Sequence, residues 1–241
     1  MHPMVISFYS DIEGHDYYSR NAERLKKQLD NLGVPYDIQE KKSLGDYRLN
    51  CLSKPQYILD KMEELDQPVI WLDIDSRVHK KLADFENIDP DVDIVFSSSM
   101  MEEVSKFMSE HGLTEIEGHL LPAIINGMKA SPLYFGNTTG SKNMLYGWIQ
   151  STRNQIETND PKFDHEPLFP LLGRAIQDKT INSRVVGIDY CTWPGNTKRS
   201  TVITMGLADS ETKKEKLREM GLEEEFIEWQ SGGDKEHVWD I

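Results

Sequence analysis

The chain has 241 residues, of which 38% are hydrophobic and 28% charged, a length and balance that fit one folded α/β domain and exclude a disordered chain. A domain of this size buries roughly three-quarters of the surface its unfolded form exposes, so a core needs no disulfide or structural metal. The formal net charge of −14 argues against a broad groove tracking nucleic-acid phosphates, while leaving room for a small basic pocket for one diphosphate.

Cys51 and Cys191 stand far apart and form neither a disulfide framework nor a zinc motif, so two reduced cysteines are expected. The first residues, Met1 to Ser10, lack the basic and apolar regions of a signal peptide. No apolar run approaches the roughly 20 residues of a membrane span. A cytoplasmic protein with no membrane span is the expectation.

In chain order, Val5–Ser10 reads as a short buried strand. Residues 11–15 read as a loop. From Asp16, the positions Tyr18, Ala22, Leu25, Leu29 and Leu32 mark one helix face, with Gly33 as its C′ residue. Pro35–Gln39 fits a second strand, and residues 41–53 a polar loop. Ser53-Lys-Pro supplies a cap and a helix-start proline for a helix over Pro55–Leu65. Val69–Leu72 is a third, fully apolar strand, and Ile94–Ser97 a fourth. Residues 99–118 read as mixed helix and loop. Ala123–Ile125 and Ser131–Phe135 suggest two strands around an Asn126-Gly127 turn. Ser141–Thr152 and Leu168–Gln177 are predicted helices, Pro170 limiting the start of the second. Val185–Asp189 and Thr201–Thr204 are late strands, and the charged tail from Thr212 reads as helical. Strand–helix–strand order at the start, with no internal repeat, predicts a single α/β domain over residues 1–241 with a mostly parallel sheet flanked by helices.

The segment Val69-Ile-Trp-Leu-Asp73-Ile-Asp75 carries the strongest chemistry. Side chains at i and i+2 of an extended chain share a side. Two carboxylates after a buried strand form a site for Mg²⁺ or Mn²⁺, which keeps waters and takes further oxygens from a substrate diphosphate. Asp89-x-Asp91 and Asp91-x-Asp93 precede their strand and read as solvated. A haloacid-dehalogenase-type phosphatase, with Asp73 as nucleophile, uses a similar Asp-x-Asp string. Its motif normally opens the fold, however, and the later acidic pair it needs is absent here.

Four blocks resemble nucleotide-diphospho-sugar transferases of the GT-A fold. They are Val5–Asp11, Asn50–Leu59, Pro68–Ser76 and Ile125–Thr138, followed by Trp148 and Asp164-His-Glu-Pro-Leu168. The resemblance implies a Rossmann-like half over about 1–98 that holds the nucleotide. It further implies a half over about 99–210 that builds the donor-sugar and acceptor site, with 211–241 as a helical tail. It puts Phe8, Tyr9 and Ser10 against base and ribose, and Lys54 near the diphosphate, with Arg48 as a second candidate. Asp75 becomes the direct metal ligand, with Asp73 reaching ribose, sugar or a metal-bound water. Asn126 and Gly127 approach the donor sugar, and Asp164 or Glu166 faces the reaction centre. Trp193 is a candidate for stacking on a sugar.

One departure stands out. Where many GT-A enzymes carry a late metal-binding histidine, Thr201–Ser210 has none, leaving Asp209, water or His237 to substitute. The leading expectation is a metal-dependent transferase moving a sugar, as a UDP-sugar at family level, to a hydroxyl acceptor: a small molecule, glycan or protein. The alternatives are the phosphatase and a nucleotide-sugar-binding domain without turnover.

Overall fold

The computed structural model describes residues 2–11, 16–113, 116, 118–194, 196–206, 218–219 and 221. Its strands are β1 (Met4–Tyr9), β2 (Tyr36–Glu40), β3 (Val69–Trp71), β4 (Arg77–Val78), β5 (Ile94–Ser98), β6 (Met128–Phe135), β7 (Ser183–Val186) and β8 (Ile203–Thr204). The helices are α1 (Tyr17–Leu32), α2 (Tyr47–Leu52), α3 (Lys54–Leu65), α4 (Met101–Glu110), α5 (Leu121–Asn126), α6 (Thr139–Glu157) and α7 (His165–Gln177).

A six-stranded sheet runs in the order β2-β1-β3-β6-β5-β7, and β4 pairs with β8 in a separate two-stranded sheet. The pairs β1–β2, β1–β3 and β5–β7 are parallel, whereas β6 lies antiparallel between β3 and β5. Both faces of the main sheet are buried, and neighbouring residues divide between them. Ile6, Trp71, Phe96 and Phe135 face α3, α6 and α7, whose Ile58, Met62, Leu145, Trp148 and Leu172 join the same core. Val5, Ile70, Val95 and Tyr134 face α1 through Ala22, Leu25 and Leu29, and the β4–β8 side through Val78 and Ile203. This double-sided burial is why the strands read as apolar runs instead of alternating ones.

The α1 prediction is met by a helix ended by Gly33, whose φ of 65° is the left-handed conformation a C′ glycine adopts. Four readings are corrected. Residues 41–53 are not all loop: Asp46 caps α2, its side chain accepting from the Leu49 N–H. Ala123–Ile125 is helical, within α5, because Pro122 sits at the helix start. Asn126-Gly127 is therefore the end of a helix and not a hairpin turn. A Cβ on Gly127 would lie 2.5 Å from Met100 Cγ and 2.6 Å from Ser98 Oγ, so the glycine serves close chain approach. Asp93, expected to be solvated, is buried, accepting from the Asn182 N–H at 2.7 Å and from the Thr138 hydroxyl.

No helix among the described residues is long and apolar enough to cross a membrane. The expected helical tail lies outside the described residues, apart from isolated positions.

Candidate active site

A cleft of about 530 Å³ opens where β1 and β3 end at their C-terminal edge, the edge at which open α/β sheets bind ligands. Phe8, Tyr9 and Ser10 from the end of β1 line it, with Trp71, Asp73 and Asp75 from the end of β3. Phe8 is wedged between Tyr57 and Trp71, at 5.1 and 5.5 Å between ring centres. The Ser10 hydroxyl donates to the Lys41 carbonyl at 2.8 Å.

Asp73 and Asp75 converge by a route different from the one expected. β3 stops at Trp71, and the Ser76 N–H donates to the Asp73 carbonyl at 2.9 Å, closing a turn. The two carboxylates thus reach the cleft from a turn and not from alternate positions of a strand. Asp73 is oriented at both ends: its N–H donates to Ser131 Oγ and its Oδ1 accepts from Trp71 Nε1, both at 2.9 Å. Asp75 is only 6% exposed. A Cβ on Gly206 would fall 1.9 Å from its Oδ1, so the chain leaving β8 comes directly against this carboxylate.

Lys54 is the electrostatic centre. Its Nζ lies 3.1 Å from Asp73 Oδ1 and 2.9 Å from Asp164 Oδ2. The Lys54 and Asp164 side chains are 8% and 5% exposed. Burial works to lower the lysine pKa, but the Asp164 and Asp73 carboxylates outweigh it and hold the ammonium well above its usual range. The Asp164 carbonyl accepts from Trp148 Nε1 at 2.6 Å, tying the start of α7 to the core of α6. Lys54 opens α3 next to Pro55, and Ser53 at the α2–α3 junction is itself helical in φ and ψ. The two helices therefore run on, and Tyr47, Asn50, Cys51 and Lys54 form one face at i, i+3, i+4 and i+7. All four line the cleft. Burial pushes the Cys51 thiol up to about 12, the Asp164 charge adding to it.

Against solved structures, the chain is similar to a glycosyltransferase involved in glycosylating the major capsid of PBCV-1. The TM-score is 0.55 at 11% identity, over 90% of this chain and 100% of that one. The chain has a GT-A glycosyltransferase fold. Two further glycosyltransferase structures align at TM-scores below 0.5. They are GlyE of Streptococcus pneumoniae TIGR4 (0.48, 14% identity, 98% of this chain and 63% of that one) and the galactosyltransferase LgtC with donor and acceptor sugar analogs (0.47, 11%, 92% and 95%). No family model and no curated protein matches the chain.

Within this glycosyltransferase fold, Tyr9, Ser10, Lys54, Asp73, Asp75 and Asp164 come together in the cleft. Asn126, Gly127 and Glu166 are not among its lining residues; Ala130, farther along β6, is. Glu166 is exposed, and its Oε1 accepts from the Phe163 N–H at 3.1 Å, just ahead of the start of α7. Arg48 turns away from the cleft to donate to the Asp160 carbonyl at 2.6 Å. Trp193 does not line the cleft either. Asp209 and His237 lie outside the described residues. The reading from sequence missed Tyr47, Phe163 and Gly206, and left Asn50, Cys51 and His165 without a role. The 47/50/51/54 spacing behind Asp46 was the available signal for α2. Gly206 had none, because only the fold brings it to Asp75.

Among the described residues, no group of three or more His, Cys, Asp or Glu is arranged to hold a metal ion. The donor chemistry of Asp73 and Asp75 nevertheless fits Mg²⁺ or Mn²⁺, which bind through one or two carboxylates, waters and substrate phosphates. The Asp73 side chain is 39% exposed and open to the cleft. Asp73 and Asp164 share the single ammonium of Lys54, and Asp75 lines the same cleft. That excess of negative charge favours a cation in the cleft and disfavours an unaccompanied anion.

Proposed function

We propose that the chain is a glycosyltransferase that takes a nucleoside-diphosphate sugar together with a divalent cation and moves the sugar to a hydroxyl acceptor. The observation that carries this reading is the Lys54–Asp73–Asp164 cluster, with Asp75 beside it, in one cleft at the C-terminal edge of a GT-A sheet. A diphosphate and a surplus of aspartates repel each other, so the donor enters with its metal.

Asp75 and Asp73 would hold Mn²⁺ or Mg²⁺, which supplies neutralisation of the diphosphate and of the charge left on it as the glycosidic bond breaks. Tyr9 and Ser10 fall on the nucleoside side of this arrangement. Lys54, always charged, offsets developing negative charge on the leaving diphosphate. Asp164 holds Lys54 in place and sets a negative charge beside the anomeric carbon, where positive charge develops in the transition state. Glu166, bonded to the Phe163 N–H, acts on the shape of the α7 entry. UDP is the proposed diphosphate, and free Cys51 and Cys191 accord with a cytoplasmic setting.

The test is calorimetric titration of UDP, GDP, CDP and ADP, with and without Mn²⁺, into wild type and Asp75→Asn. Binding of one diphosphate that requires Mn²⁺ and disappears in the variant is the expected result, followed by sugar transfer with release of that diphosphate. A folded protein that binds none of the four, or one that only releases inorganic phosphate, would overturn the proposal.

A further inference from the structure

The donor reading leaves one wall of the cleft without a task. Tyr47 on α2, Phe163 just ahead of α7 and His165 in the first turn of α7 all line the same cleft as Asp73 and Asp164. Their rings form a continuous strip. Tyr47 and Phe163 lie 6.0 Å apart, Phe163 and His165 6.3 Å apart with planes 13° from parallel, and His165 meets Phe169 at 5.6 Å. Tyr47 and Phe163 keep 40% and 36% of their surface exposed, so the strip is a rim open to solvent and not part of the core. The Arg48 bond to the Asp160 carbonyl holds α2 against the segment that carries Phe163, so the rim is fixed from both sides.

We infer that this rim is the acceptor subsite, and that it takes a pyranose ring of a neutral glycan. The inference rests on the glycosyltransferase reading and adds the class of acceptor. One face of a pyranose is a row of C–H bonds, which loses water-exposed apolar area when it lies on an aromatic ring. Its rim of hydroxyls then points outward, and a sugar lying on Phe163 carries those hydroxyls into the cavity that Asp73 and Asp164 share. The charge of the cleft selects further: Asp73 and Asp164 already share the Lys54 ammonium, so sialylated, phosphorylated or otherwise acidic acceptors are disfavoured. A serine or threonine in an extended peptide would need backbone partners along its path, and this rim offers ring faces instead.

Saturation-transfer NMR with the methyl glycosides of glucose, galactose, mannose and xylose tests this directly, on wild type, Phe163→Ala and Phe163→Tyr. At least one glycoside should receive saturation at its ring C–H protons. Its affinity should fall about tenfold in Phe163→Ala and return in Phe163→Tyr, while Mn²⁺–nucleotide titration of the same samples is unchanged. Glycoside binding by a protein that binds no nucleotide would keep this subsite and remove the donor reading. Failure of every glycoside to bind wild type would overturn the inference, as would equal binding by Phe163→Ala. Protection of the rim by a serine-containing peptide, or by a second copy of the chain in sedimentation, would overturn it too.

Discussion

Lys54 shows how a single residue can be costly to bury and costlier to remove. Its ammonium is enclosed, yet it touches two carboxylates at 3.1 and 2.9 Å, and these keep it charged. Lys54→Met leaves Asp73 and Asp164 facing each other with their cation gone, at an expected cost of about 3–5 kcal/mol. Urea unfolding of Lys54→Met, Asp164→Asn and the double variant measures this, and the double should cost less than the two singles together. The sign of the pH effect is set by the raised folded-state pKa. Lys54's contribution is complete below the unfolded lysine value of about 10.4 and is lost only as pH rises through the folded value. No step in stability between pH 5 and 9 should therefore disappear in Lys54→Met. Cys51, on the same helical face, is held neutral by burial, its thiol pushed up to about 12. At pH 8 its alkylation by iodoacetamide, followed by mass spectrometry, should run at least ~100-fold slower than that of an unperturbed thiol. Rapid modification would show that the thiol is not enclosed as described.

At the level of elements, the site is built from ends. β1 and β3 stop, α2 and α3 start, α7 begins, and β8 passes on into Gly206. Each end has a local physical cause: the Asp46 side chain bonded to the Leu49 N–H for α2, Pro55 for α3, and the Glu166–Phe163 bond for α7. The exit of β8 is the most constrained, because Gly206 leaves no space between its backbone and Asp75. Gly206→Ala must displace that carboxylate. The expected outcome is a folded protein, destabilised by about 1–3 kcal/mol, whose Mn²⁺-dependent nucleotide binding is weakened at least tenfold. Unchanged calorimetric titration would mean that Asp75 does not take part in binding.

For the whole molecule, the governing quantity is charge. A net −14 surrounds a cleft that is itself anionic, so the metal and the nucleotide should respond to salt with opposite signs. With EDTA present, residual nucleotide binding should strengthen as NaCl is raised from about 50 to about 500 mM, because salt screens like-charge repulsion. With Mn²⁺ present, the same salt should weaken binding, because it now screens attraction. Fluorescence titration at the two salt concentrations checks both signs. Salt effects of the same sign in the two series would place the diphosphate away from the aspartates.

The sequence by itself determined the central strands β1, β3 and β5, because a strand buried on both faces must be apolar at nearly every position, as Val69–Trp71 and Ile94–Phe96 are. It also determined α1, from its apolar spacing and Gly33; Asp73 and Asp75 stood out as carboxylates following an apolar strand, whereas Lys54 and Asp164 were pointed to only by the family resemblance. It misled at Ala123–Gly127, where β-branched residues and an Asn-Gly pair outweighed the proline that starts α5. Only the tertiary structure decided which charges meet. Lys54, Asp73 and Asp164 are joined by packing, since α3 lies against β3 and α6, and α6 holds the start of α7 through Trp148. The same holds for Gly206 against Asp75 and for the ring strip from Tyr47 to His165. Contacts between residues this far apart in the chain leave no periodicity or spacing behind, because their partners are chosen by packing and not by local conformation.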